Sequence, residues 1–277
     1  MPAVPVEGDA QRAELLDQSV LLDQSVLLDL SVPIVSGMPV YPGDPEVAVT
    51  PALRAPADGV NVQRLHLGSQ SGTHIDAPWH IDDTLPRLDE LPLERFAGPA
   101  VLVDARGQAA QGAIGPDLLP AGLRPGDIVL IVTGWSDRWG HPDYLRHPYL
   151  APATARAIVD AGVRTVGIDA LSVDRTPGPG EDFSLAAHRV LCGAGAVIAE
   201  NLTGLARLLQ ARTQGRPIEV FLFPLPLAAA DGAPVRAVAR LGPTAPNRRG
   251  AQLPTAWRRS SGSSSAGSSP AGSPPAG

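Results

Sequence analysis

Between residues 70 and 80 the chain reads Gln-Ser-Gly-Thr-His-Ile-Asp-Ala-Pro-Trp-His. His74 and Asp76 supply imidazole and carboxylate at i and i+2, the donor types that hold zinc or manganese. In an extended backbone alternate side chains share a face, so Gln70, His74 and Asp76 project together. Gly72 leaves room on that face for something to approach the backbone closely, and Pro78 stops ladder pairing. The turn that Pro78 permits returns His80 towards the same cavity. A single His-x-Asp pair is most often a hydrogen-bonded structural pair. A third group, His80, on a segment shaped by glycine and proline brings a metal or acid–base role into contention.

Such a cluster needs a scaffold, and composition bounds what that can be. The chain has 277 residues and a formal net charge of −6, with 44% hydrophobic and 18% charged residues. That is a globular balance with length for one or two domains and a sizeable core. The acidic excess provides no electrostatic footprint for nucleic acid or an anionic membrane. Cys192 is the one cysteine, which excludes an internal disulfide framework and any all-thiolate cluster. A metal here must therefore be held by imidazoles and carboxylates. Acidic residues stand where a secretion signal would be basic, and no stretch of about 18 apolar residues offers a membrane span, so a soluble cytoplasmic protein is expected.

Residues 1–26 read as an extension in which Leu-Leu-Asp-Gln-Ser-Val is duplicated, and residues 242–277 as a disordered tail rich in Pro, Gly and Ser. Between them, residues 27–241 form one domain. Strands are expected where short apolar runs are bounded by turn residues: Leu27 to Val32, Val101 to Val103, Asp127 to Val132, Val163 to Ile168, Ala196 to Ala199 and Ile218 to Phe223. Helical spacing covers Ala151 to Ala161, closed by Gly162, and helices also suit Leu185 to Leu191 and Thr203 to Gln210. The alternation predicts a mixed α/β domain.

Ser-Gly-Thr-His-Ile-Asp-Ala-Pro-Trp-His resembles the His-x-Gly-Thr-His-x-Asp-x-Pro-x-His motif of the cyclase family, which includes bacterial kynurenine formamidases and isatin hydrolases. Further stretches resemble it in order: Asp29-Leu30-Ser31, Tyr41-Pro42-Gly43-Asp44, Thr133-Gly134-Trp135, Gly167-Ile168-Asp169, His188 to Leu202, and Asp231 to Arg236. The resemblance implies an α/β fold of the mixed β/β/α swivelling type, in a homodimer or higher homo-oligomer. It implies His74, Asp76, His188 and Glu200 as metal ligands, Asp76 bridging when two ions are present, and His80 as proton donor and acceptor. Tyr41 stands where the formamidases carry a substrate-contacting tryptophan, and Trp135 is a second candidate substrate contact. Gln70 replaces the motif's first histidine. A neutral carbonyl oxygen is a poorer zinc donor than imidazole, so a weakened first site is expected, with one or two zinc or manganese ions per chain.

The implied activity is metal-dependent hydrolysis of a small amide, with an arylformamidase that releases kynurenine and formate from N-formylkynurenine as the leading case. The alternatives are an isatin-hydrolase-like lactam hydrolase, a polyketide-type cyclase or dehydratase, and a metal-depleted protein that binds aromatic acids. Other groups read as structural. Cys192 suits inert core, His66 a plain strand position, and His141 and His147 a solvated Pro-rich loop. Asp169 and Asp174 either orient ligands or cap turns.

Overall fold

Ile128 to Val132 is apolar at every position, the pattern of a strand covered on both faces. In the computed structural model, which describes residues 25–178 and 180–244, this run is the centre of a nine-stranded sheet. The first hexapeptide copy, most of the second, and the tail from residue 245 lie outside the described residues.

In chain order the strands are β1 (Val26–Asp29), β2 (Ala48–Leu53), β3 (Val62–His66), β4 (His74–Asp76), β5 (Ala97–Asp104), β6 (Ala113–Ile114), β7 (Ile128–Val132), β8 (Tyr149–Leu150), β9 (Thr165–Ile168), β10 (Val197–Glu200), β11 (Ile218–Phe221), β12 (Gly232–Pro234) and β13 (Val238–Leu241). Three longer helices are α1 (Pro152–Asp160), α2 (Ala186–Gly193) and α3 (Leu205–Thr213). The large sheet runs β1-β13-β11-β5-β7-β9-β10-β4-β12, with β2–β3 and β6–β8 as separate two-stranded pieces. β5, β7, β9 and β10 are parallel neighbours, while the outer pairings are antiparallel.

The period of two along β7 sorts its side chains into two cores. Ile128, Leu130 and Val132 face one cluster with Leu205, Leu208 and Leu209 of α3. Val129 and Ile131 face the other, with Ala155 and Ile158 of α1 and Ala187 and Leu191 of α2. The same alternation continues through β10, where Val197 and Ala199 join the first core and Ile198 the second. Glu200 shares the parity of Ile198, so it turns towards the α1–α2 layer. In β4, Ile75 belongs to the first core, which leaves His74 and Asp76 on the α1–α2 side as well.

Every strand and helix expected from the sequence has its counterpart, with ends displaced by up to four residues: the strand expected at Val101 to Val103 runs from Ala97 to Asp104, and the one expected to reach Val32 stops at Asp29. α1 opens on Pro152 and is followed by Gly162 at φ +85°, where an added Cβ would lie 2.7 Å from the Pro125 ring. Among the described residues no helix is long and apolar enough to cross a membrane.

Candidate metal centre

The β4–β10 register places Glu200 directly opposite His74, and Ile198 opposite Asp76. Cross-strand partners point the same way, so a strand pair carries His74, Asp76 and Glu200 on one face. His188 enters from the layer above, on the first turn of α2. All four side chains are buried.

A ligand atom from each of His74, Asp76 and Glu200 lies within 4.8 Å of the other two. His74 Nε2 is 3.4 Å from Asp76 Oδ1 and 3.7 Å from Glu200 Oε2. His188 Nε2 approaches the same two carboxylates from its own side, 3.5 Å from Asp76 Oδ2 and 3.6 Å from Glu200 Oε1. Donors about 2.1 Å from a tetrahedral ion stand about 3.4 Å apart, so these separations are those of a coordination sphere.

The hydrogen bonds behind the cluster decide what it can hold. His74 Nδ1 is 2.8 Å from the Gly72 carbonyl, and His188 Nδ1 is 2.8 Å from Asp174 Oδ2. Both acceptors demand the proton on Nδ1, which turns each Nε2 lone pair inwards. Neither oxygen of Asp76 has a hydrogen-bond partner, although both are fully buried. Lone pairs of nitrogen and oxygen thus face one another, an arrangement that positive charge between them would satisfy. A divalent cation would supply that charge, and the donor set fits zinc or manganese.

The protonation tendencies express the same demand. Burial alone would lower both histidines. For His74 the Asp76 charge outweighs burial and raises the imidazole to about 9. For His188 the hydrogen bond to Asp174 and the nearby charges of Asp76 and Glu200 raise it to about 10. Burial and the Asp76 charge push Glu200 up, while Asp76 is held down against its burial, chiefly by the charge of His74. A bound cation would replace the protons these groups otherwise attract.

Local structure fixes each of these side chains. Gly72 adopts φ +66°, and its carbonyl accepts from both His74 Nδ1 and Asn201 Nδ2 at 2.9 Å. Thr73 Oγ1 donates to the Asn201 carbonyl at 2.7 Å and accepts from Val32 N at 2.9 Å. Val173 N donates to Glu200 Oε1 at 2.7 Å, leaving Oε2 to His74. Asp174 does both things expected of it as alternatives. It accepts from the Ala187 and His188 amides at 2.7 and 2.9 Å, so it caps α2 while it orients the His188 ring.

The three-residue turn Pro78–His80 returns His80 to the same cavity, with its ring centroid 5.9 Å from that of His188. A cavity of about 460 Å³ opens over the cluster, lined by Tyr41, Asp44, His80, Phe183 and Asn201 among others. Tyr41 and Phe183 meet edge to face at its rim, 6.3 Å between centroids.

Two expectations need correction. Trp135 is absent from the cavity wall; it is buried in the second core, its indole N–H donating to the Tyr144 carbonyl at 3.1 Å. His147 is no solvated loop residue: it is fully buried, with Nδ1 at Pro148 O and Nε2 at Thr176 Oγ1, both 2.9 Å. Burial holds that imidazole down to about 4. Gln70 lines the cavity, but its amide nitrogen is committed to Asp231 Oδ2 at 2.9 Å. His66 is an exposed strand residue, and Cys192 is buried with its thiol pushed well up by desolvation, as inert core should be. Asp169 closes the turn after β7 by accepting from the Thr133 and Gly134 amides.

From sequence, Asp231 marks only the start of the Asp231 to Arg236 stretch, with no role given to it, and Phe183 is not singled out at all. Asp-Gly after a run of alanines reads as a turn, and Phe183 lies among Gly, Pro and acidic residues, where an aromatic carries no periodic signal.

The fold is thus a mixed α/β sheet that carries a buried His/Asp/Glu cluster able to hold a metal ion, under a small cavity. The family model described as "Putative cyclase" matches residues 28–175, and the chain belongs to that family. Among its relatives, a kynurenine formamidase of Salinibacter ruber is 36% identical over 211 residues, 72% of this chain and 90% of the relative. One of Geobacillus thermodenitrificans is 35% identical over 188 residues, 68% and 83% of the two chains. Among solved structures, an isatin hydrolase bound to thioisatinate superposes with a TM-score of 0.71 at 20% identity, over 86% of this chain and all of the other. A predicted metal-dependent hydrolase from Bacillus stearothermophilus gives 0.60 at 29% identity, over 78% and 98%.

Proposed function

We propose that this protein is a metal-dependent hydrolase of small amides, with an N-formylated aryl amine such as N-formylkynurenine as its substrate. The observation that carries the reading is the pair of inward-facing Nε2 lone pairs set against two buried, unpartnered oxygens of Asp76. We infer His74, Asp76, His188 and Glu200 as the ligands of zinc or manganese. Gln70 in place of the motif's first histidine offers only a neutral carbonyl oxygen, which favours one tightly held ion over two.

A divalent cation, when bound, supplies hydroxide at neutral pH by lowering the pKa of water from about 15.7 to about 7, and polarises a carbonyl. His80 lines the cavity, lies outside the inferred ligand set and can move a proton. Its Nδ1 lies 3.3 Å from Asp231 Oδ2, so Nε2 is the atom free to take a proton and return it to the leaving nitrogen. Burial would lower His80, but the hydrogen bond to Asp231 and the Asp76 charge raise it, which steadies the protonated intermediate state of that relay. Tyr41 and Phe183 offer faces and edges to an aryl ring.

The relatives support the formamide, while the likeness in fold to isatin hydrolase supports a lactam as the second reading. Hydrolysis of N-formylkynurenine, isatin and formanilide, each with zinc or manganese supplied, tests this. Cation-dependent cleavage of the formamides is expected; turnover of isatin alone moves the assignment to the lactam, and none at all refutes it. We also infer a cytoplasmic homodimer. The β2–β3 ribbon supports the oligomer: it stands apart from the main sheet with Leu53, Val62 and Leu65 exposed, and a two-stranded ribbon is marginal without cover.

A further inference from the structure

Asp231 lies immediately before β12, and both its backbone and its side chain are tied to the segment around β4. Ala77 N donates to its carbonyl at 2.8 Å, and the adjoining Gly232 pairs with Asp76 in the ladder. No side chain fits at Gly232, since an added Cβ would overlap the Ile75 carbonyl and lie 2.6 Å from Gln70 Nε2. Gln70 is thereby allowed to press against this turn. Its amide donates to Asp231 Oδ2 at 2.9 Å, and the same oxygen is 3.3 Å from His80 Nδ1.

His80 Nδ1 therefore has two neighbours with opposite demands. The carboxylate wants a proton there; the Gln70 amide, 3.4 Å away, offers one of its own. The nearer and charged partner prevails, and the amide spends its proton on Asp231 instead. With the proton on Nδ1, the Nε2 lone pair is the one left for chemistry. Were Asp231 absent, Gln70 would donate to Nδ1 and drive the proton to Nε2, the wrong tautomer for a base.

We propose that Asp231 is the positioning residue that sets the tautomer of His80, and that Gln70 serves by holding Asp231 rather than by binding a cation. Asp231 is suited to the task because it stays ionised: burial would raise it, but hydrogen bonds from His80, Gln70 and Ser69 hold it at about 2. The competing account makes Asp231 a purely structural anchor that joins β12 to β4.

The two accounts separate in a double-mutant cycle and in imidazole nitrogen NMR. Asp231→Asn should lower kcat about 10²-fold or more, with KM and cation content within about twofold. In a His80→Ala background the same change should cost less than about twofold, because its effect passes through His80. A structural anchor would cost the same in both backgrounds, and that result overturns the proposal. The nitrogen spectrum should show His80 protonated on Nδ1 in the unaltered protein and on Nε2 in Asp231→Asn; an unchanged tautomer also overturns it. Gln70→Leu should leave cation content unaltered, and loss of the cation would return Gln70 to the ligand set. The kinetic arm rests on the hydrolase reading, but the NMR arm needs no substrate, so a failure of one is distinguishable from a failure of the other.

Discussion

Asp174 is where the sheet, a helix and the candidate metal centre meet, and its removal separates their contributions. Its carboxylate accepts the Ala187 and His188 amides at the start of α2 and faces His188 Nδ1. Losing an N-cap costs about 1 kcal/mol, and losing a hydrogen bond to a charged group about 1.5–3 kcal/mol. Asp174→Ala should therefore destabilise the protein by about 3 kcal/mol, a large part of the 5–15 kcal/mol typical of a domain. Asp174→Asn keeps the shape and one acceptor, so it should cost about 1–2 kcal/mol. Both changes release the His188 ring, and loss of such a supporting partner lowers metal affinity about 10–100-fold. Urea unfolding in the absence of divalent cation reads the first quantity; calorimetric titration with zinc or manganese reads the second. If stability falls as expected while affinity stays within about twofold, Asp174 is a helix cap and His188 is no ligand.

Three further outcomes follow from the same geometry. Gly72→Ala forces an L residue to φ +66° and brings a Cβ to 3.1 Å from Met38 Cε, so it should cost about 1–2 kcal/mol in thermal unfolding and weaken cation binding through the displaced carbonyl; unchanged stability would show that this turn is not strained. His147 has its ordinary pKa near 6.5 when unfolded and about 4 when folded, so the unfolded chain binds the extra proton between those values. Its contribution is complete above about pH 6.5 and drains away towards pH 4, about 3 kcal/mol in all; the difference in stability between His147→Gln and the unaltered protein should shrink over that window, and parallel pH profiles would contradict the burial argument. Removal of divalent cations should lower the unfolding midpoint, since cation at 100 times its Kd contributes about 2.7 kcal/mol; a midpoint indifferent to chelator and to added zinc or manganese would count against a metal centre.

How much of this was legible beforehand depends on how local each signal was. The unbroken apolar run of β7 and the helical spacing of α1 report on their own burial, and both elements formed where the pattern placed them. His74 and Asp76 are two residues apart, so strand geometry alone puts them on one face. His188 and Glu200 came only through the family resemblance, because their meeting with β4 depends on a crossover order that spacing does not encode. His147 was misread because prolines on either side look like loop, while its burial is a property of the tertiary structure. Trp135 failed for the converse reason: an aromatic beside a motif can be core, and its N–H is spent on the backbone. Asp231 was visible only as part of a family-like stretch, and its role stayed hidden because its partners are 161 and 151 residues away.

The positions of the carboxylates explain why the cluster sits at this edge of the sheet. Asp76 and Glu200 are both buried, and two such charges side by side are costly unless something positive lies between them. The parallel centre of the sheet cannot host them, because its strands are covered by apolar layers on both faces. β4 and β10 pair antiparallel just where the parallel strands end, so one face can turn polar while Ile75 and Ala199 keep the other in the core. The cost is confined to a patch where α2 delivers an imidazole and the Pro78 turn delivers another. Inside that patch, the charge of a cation would offset the two buried carboxylates.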